Sequence, residues 1–126
     1  MQLANLAVKS GVKTFVFVSS VKAGGKINNK RCIGEIDQGD PEGEYGKSKR
    51  NAELGLLELC KDSKMNVVIV RSSLVYGRGM KGNLNLMLTG IKNGWFPPLP
   101  QVLNQRSMVH VDDVVSGILK LIRVKL

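Results

Sequence analysis

Two short apolar runs, Thr14-Phe15-Val16-Phe17-Val18 and Asn66-Val67-Val68-Ile69-Val70-Arg71, bracket one long segment of helical period, and this arrangement constrains the fold more than anything else in the chain. Each run is continuous rather than alternating and rich in β-branched or aromatic residues. Such runs suit strands covered on both faces, as in a parallel sheet. Between them, Ala52, Leu56, Leu59 and Cys60 recur on one face of a segment from Tyr45 to about Lys61, which predicts a helix. Strand, crossover helix and strand give an α/β fold with a parallel sheet.

The flanking segments extend the alternation. Residues 2–10 carry Leu3, Leu6 and Ala7 at helical spacing, and Gly11 ends that helix. Residues 19–44 read as a long glycine-rich and charged loop, and loops of that length in compact domains are often functional. Residues 72–82 read as a second loop, and 83–92 as an amphipathic helix stopped before Gly94. Pro97, Pro98 and Pro100 impose an extended path. Residues 107–111 read as a short strand, and Asp112 is placed to cap a last helix to about Ile122.

Composition narrows the function classes. The chain has 126 residues, 43% of them hydrophobic, which is ample for a core. The net charge of +9 admits nucleic acid or a phosphate-bearing ligand. The basic residues are scattered from Lys9 to Lys125, however, and aromatic residues are only 5%, too few for a base-stacking platform. Cys32 and Cys60 stand in no metal-ligand spacing, so neither zinc nor a disulfide framework is expected. No run reaches the roughly 20 apolar residues of a membrane span, and the first residues lack the charged-then-apolar pattern of a signal peptide. The expectation is a cytoplasmic protein with no nucleic-acid or membrane partner and no metal.

Chemistry concentrates in Tyr45-Gly46-Lys47-Ser48-Lys49. Residues i and i+4 of a helix project from one face. A phenol ionises near about 10, and bringing it to neutral pH takes roughly 4 kcal/mol of preferential stabilisation of the phenolate. A neighbouring ammonium acts in that direction. The pair alone is as well explained by a solvated helical face. The context favours chemistry: the first strand ends in Ser19-Ser20, the second runs into Arg71-Ser72-Ser73, and ligands of open α/β sheets sit at the carboxyl ends of strands.

With these segments in place, the chain resembles the extended short-chain dehydrogenase/reductase family, in particular its NAD-dependent sugar-nucleotide epimerases and dehydratases of the UDP-glucose 4-epimerase kind. Residues 11–20 resemble the strand that delivers a catalytic serine or threonine, and Tyr45 to Lys49 resembles the tyrosine–lysine motif. Leu74-Val75-Tyr76-Gly77 resembles the segment that runs beside the nicotinamide. Arg106 to Asp113 resembles a later segment whose arginine meets the substrate diphosphate. The resemblance implies a Rossmann-type doubly wound parallel sheet. Residues 1–82 would supply the second half of the NAD-binding domain, and 83–126 part of a small substrate-binding region. It implies Tyr45 as base, Lys49 as the partner of Tyr45 and of the nicotinamide ribose, and Ser20 as the relay hydroxyl that also meets substrate, with Ser19 as the fallback. Ser72 would lie by the cofactor, while Asn83 and Arg106 would hold the diphosphate; Arg106 suits phosphate by its forked donors. His110 reads as structural, Asp112 and Asp113 as helix-capping residues, and Trp95 as part of a packing edge or the nucleotide site. The implied cofactor is NAD, with NADP as the alternative. The implied partner is a nucleotide sugar, UDP-linked, and a homodimer is the implied assembly.

Two departures qualify this picture. Ser72 and Ser73 stand where the family often has proline. No Gly-x-x-Gly-x-x-Gly or Gly-x-Gly-x-x-Gly follows an early strand, although that fingerprint is what brings backbone to a pyrophosphate. The expectation is therefore a middle portion of a longer enzyme, the competing readings being a non-catalytic truncated remnant and a basic nucleic-acid-binding module. The family's dehydratases carry an Asp-Glu pair directly after the catalytic serine or threonine; Val21-Lys22 stands here, which favours an epimerase or reductase. The 126-residue chain alone is expected to show little or no NAD-dependent activity. Calorimetric titration with NAD alongside an epimerase assay on UDP-sugars checks this, and micromolar affinity with turnover would contradict it.

Overall fold

The computed structural model describes residues 1–25, 34–35, 38–80, 82–95 and 106–123. The chain runs α1 (Gln2–Lys9), β1 (Thr14–Ser20), α2 (Val21–Gly24), α3 (Gly43–Cys60), β2 (Asn66–Ser72), β3 (Leu74–Tyr76), α4 (Asn83–Lys92), β4 (Met108–His110) and α5 (Val111–Arg123). The expected α/β architecture with parallel strands is what forms. β1 and β2 pair in parallel from Thr14 opposite Asn66 to Ser20 opposite Ser72. β3 and β4 form a second parallel pair, with Tyr76 opposite His110.

Local chemistry sets the boundaries. α1 ends where Gly11 takes a positive φ of 69°, a conformation glycine adopts without steric cost, and the Val12 N–H returns to the Ala7 carbonyl at 3.0 Å. β1 continues two residues beyond its apolar run, so both serines belong to the strand. It stops because the Ser20 hydroxyl accepts from the Lys22 N–H at 3.3 Å and so caps the single turn of α2. The expected long loop is thus shortened from both ends, by α2 and by the start of α3 at Gly43. The second expected loop contains β3, a strand of three residues that carries no pattern of its own and forms because β4 offers it backbone partners.

α5 begins one residue before Asp112. The first turn is capped by His110, whose Nδ1 accepts from the Asp112 N–H at 3.3 Å, and Asp112 lies inside the helix. Its carboxylate also approaches His110 Nδ1 at 3.5 Å.

The expectation of strands buried on both faces is corrected. β1 is mostly half-buried and Val18 is 44% exposed, since the sheet it belongs to has only two strands among the described residues. Among the described residues the fully buried apolar side chains are Ala4, Ala23, Leu56 and Met65. Among the described residues no helix is long and apolar enough to cross a membrane. Cys32 and the prolines at 97, 98 and 100 lie outside the described residues.

α3 meets α2 with no side chain between them. A Cβ on Gly46 would stand 2.6 Å from the Lys22 carbonyl oxygen and 3.3 Å from the Pro41 carbonyl carbon. The Glu42 N–H donates to that same Lys22 carbonyl at 2.9 Å, so the backbone has no slack. The glycine of the tyrosine–lysine motif is therefore a packing requirement. Gly46→Ala is expected to destabilise the fold by about 1–3 kcal/mol, the range for forcing extra atoms into a packed contact; urea denaturation at neutral pH measures it.

Candidate active site

α3 returns antiparallel to the strands, as a crossover between parallel neighbours must, so its first turns stand over the carboxyl end of β1. Tyr45 and Lys49 lie one turn apart on it. The Lys49 Nζ is 5.8 Å from the centre of the Tyr45 ring and 5.0 Å from that of Phe17 on β1. It donates to the Val18 carbonyl at 3.1 Å. The ammonium is thereby anchored to strand backbone between two aromatic faces, each of which attracts a cation. Tyr45 is 55% exposed, so its hydroxyl is open to a ligand. Glu44 and Lys47, which flank Tyr45 on the outer side, pair with each other at 3.0 Å and leave Lys49 to the strand.

The two serines of β1 part company, because successive strand residues point to opposite faces. Ser19 turns toward α3, is 4% exposed and donates to Glu53 Oε1 at 2.5 Å. Its hydroxyl is committed, which leaves Ser20 as the serine at the strand end. Ser72 lies opposite Ser20 in register, and its hydroxyl donates to the Ser19 carbonyl at 3.5 Å. Asn83 and Arg106 stand apart from this group. Asn83 is exposed at the start of α4, after Gly82 with φ of 87°, and Arg106 is exposed on the approach to β4. Neither bonds to β1, β2 or α3 among the described residues. Trp95 is 73% exposed; its N–H donates to the Gly90 carbonyl at 2.9 Å and closes the end of α4.

Two residues behind the site went unread in the sequence. Glu53, 1% exposed, is the largest fully buried side chain among the described residues. It receives Arg71 Nη2 on Oε2 at 2.6 Å and Arg71 Nε on Oε1 at 3.0 Å, besides the Ser19 hydroxyl. Burial alone would push the Glu53 carboxyl up. The hydrogen bonds from Arg71 and Ser19, with the charges of Arg71 and Arg50, outweigh it and hold the carboxyl below its ordinary range. The hydrogen bonds that Arg71 donates to Glu53 are also what raise Arg71, against its partial burial. The Arg71 Nη2 reaches Gln38 Oε1 at 3.2 Å, and the Arg50 guanidinium donates to the same oxygen and to the Gly39 carbonyl. The signal was present: Glu53 falls four residues after Lys49 and between the apolar positions Ala52 and Leu56, a charge on a core-facing stripe.

His110 ends β4. It stacks edge-on against Tyr76 with centroids 5.1 Å apart, and a Cβ on Gly77 would meet its Nε2 at 3.0 Å. No cluster of metal-ligating side chains occurs among the described residues.

The NAD dependent epimerase/dehydratase family matches residues 1–125. The chain belongs to that family. It is 39% identical over 118 residues to UDP-glucose 4-epimerase of Vibrio cholerae, a match covering 92% of this chain and 36% of that protein. It is 34% identical over 112 residues to the N-acetyl-alpha-D-glucosaminyl-diphospho-ditrans,octacis-undecaprenol 4-epimerase of Escherichia coli O157:H7, covering 87% of this chain and 33% of that one. Among solved structures, dTDP-glucose 4,6-dehydratase of Bacillus anthracis, determined with NAD, superposes with a TM-score of 0.85 at 27% identity, over 96% of this chain and 40% of that chain. This epimerase/dehydratase chain thus spans about a third of the length of the curated relatives it matches.

The Glu53–Arg71 pair makes a prediction about stability. A carboxyl whose pKa is lower in the folded state stabilises the fold above its unfolded pKa, and that contribution is lost as pH falls through the lowered folded value. Glu53→Gln leaves Arg71 without its charge partner and is expected to cost about 3 kcal/mol at neutral pH. It should also flatten the loss of stability on acidification below the ordinary carboxyl range. Urea titrations of both proteins across that range measure the difference.

Proposed function

We propose that the protein to which this chain belongs is an NAD-dependent sugar-nucleotide 4-epimerase, and that this stretch supplies its proton-transfer site. The observation that carries the reading is the placement of Tyr45 beside Lys49, with the lysine anchored on the Val18 carbonyl at the end of β1. The residues present fit the nicotinamide-ribose end of such a cofactor. Lys49 spends one of its three N–H donors on Val18 and keeps the others, and the exposed phenol stands next to it. The pyrophosphate end has no glycine fingerprint in these residues and would be held elsewhere in the protein.

Tyr45 takes the proton of the sugar C4 hydroxyl and later returns it. Lys49 favours the phenolate by its charge and fixes the position of the ring. Ser20, with Ser19 committed to Glu53, offers the hydroxyl that orients the substrate oxygen. A bound NAD, held at its nicotinamide ribose by Lys49 and Tyr45, would supply the reversible hydride chemistry at the sugar carbon. Ser72 lies opposite Ser20 on the cofactor side. Arg106 and Asn83 are the candidates for the nucleotide diphosphate, which the name of the Vibrio relative suggests is UDP-linked. Val21-Lys22 after Ser20 supplies no acid–base pair for eliminating water, which favours epimerase over dehydratase.

In the full-length protein, Tyr45→Phe is expected to lower turnover of the UDP-sugar by about 10²–10⁴-fold, the usual worth of a positioned acid–base group, with NAD affinity unchanged. Lys49→Ala should weaken both. Steady-state kinetics and fluorescence titration with the cofactor distinguish these effects, and wild-type turnover by the phenylalanine variant would remove the mechanism.

A further inference from the structure

Tyr45, Lys49 and Glu53 follow one another at i, i+4 and i+8 along α3, and Lys49 and Glu53 meet β1. The two inner members hold consecutive residues of the strand: Lys49 the Val18 carbonyl, Glu53 the Ser19 hydroxyl. The geometry points to Glu53 as the residue that positions the Tyr45–Lys49 pair against the end of β1, an inference that rests on the catalytic reading of that pair.

The side chain itself argues for the role. The contact of Gly46 with α2 fixes the start of α3; beyond it the helix fully buries only Leu56 apart from Glu53, so apolar packing leaves its roll weakly fixed. At the centre of this interface stands a carboxylate that is 1% exposed. An apolar residue of similar size would fill the space, and replacing a buried ion pair by apolar residues is often neutral or stabilising. The carboxylate supplies direction. Oε1 is fixed by Ser19 of β1 and by Arg71 Nε, and Oε2 by Arg71 Nη2. Two adjacent strands thus grip one residue of the helix from two angles, which sets both its rotation and its height. Glu53 lies about 12 Å along the axis from Tyr45 at 1.5 Å per residue, close enough for a small roll of α3 to be felt at the phenol.

The same guanidinium extends the control to the segment leading into α3. Arg71 Nη2 shares Gln38 Oε1 with Arg50, and Arg50 also holds the Gly39 carbonyl. The backbone there is tied to α2, with the Gly39 N–H on the Gly24 carbonyl at 2.7 Å. Both the helix bearing Tyr45 and the chain entering it are therefore referenced to Arg71.

The test is the double variant Glu53→Met/Arg71→Met in the full-length protein, which removes the directional bonds and keeps the volume apolar. Denaturation reports folding. The nuclear Overhauser effect between the Phe17 ring and the Lys49 ε-methylene reports how α3 sits, and kcat and the NAD dissociation constant report the site. The expected result is a folded protein with that Overhauser effect lost, kcat lowered about 10²-fold, as for a misplacement near 1 Å, and NAD affinity largely kept. A folded double variant with either the Overhauser effect or kcat at the wild-type level overturns the inference, since Glu53 would then only hold the helix down. Should the double variant fail to fold, Ser19→Ala removes β1's grip alone and leaves the ion pair. A weakened Overhauser effect with reduced kcat supports the role, and wild-type values of either overturn it. Failure of the catalytic reading shows separately, as normal turnover by Tyr45→Phe, and leaves the Overhauser result intact.

Discussion

The candidate site depends on the contact between α3 and the β1–β2 pair, and a buried carboxylate stands in that contact. Glu53 would be costly to bury alone, and it is tolerated because Arg71 and Ser19 fill its hydrogen-bonding positions. Those partners come from two different strands. Satisfying one acid therefore ties both strands to the seat of the helix.

The functional end follows from the same frame. Parallel strands present their carboxyl ends on one side, and the crossover helix must begin there, so hydroxyls from β1 and β2 and the first turn of α3 meet without any special loop. Close backbone contact then brings Tyr45 into place: α3 abuts α2 at Gly46, and α2 is itself started by the Ser20 hydroxyl. Ser20 thus ends the strand, caps the turn against which the tyrosine helix rests, and lies beside the site. The exposure of Tyr45 and the anchoring of Lys49 are consistent with one group meeting a ligand and the other held ready.

Much of the fold and the centre of the site were legible in the chain. The continuous apolar runs marked β1 and β2, the 3.6-residue period marked α3 and α4, and Tyr45 with Lys49 was visible as a pair because i and i+4 coincide on any helix. The small elements were hidden. α2 and β3 are four and three residues long, too short to show a period, and each exists because another element supplies its hydrogen bonds. Asp112 looked like a cap because acids are good ones, but the nitrogen that accepts belongs to His110, a choice made by the Tyr76 edge contact and the approach of Gly77.

The sequence by itself determined which residues would lie at the carboxyl end of the sheet. Strand and helix periods are local, and the crossover rule turns them into a parallel pair with its chemistry at one end. The tertiary structure alone decided what each polar group at that end would do. Ser19 and Ser20 are neighbours of the same type, and only the alternation of β1 against α3 sends one to Glu53 and leaves the other at the strand end. Glu53 and Arg71 are eighteen positions apart in the chain, and no local pattern pairs them. They meet because the fold closes, and a buried charge takes the partner that closure brings within reach.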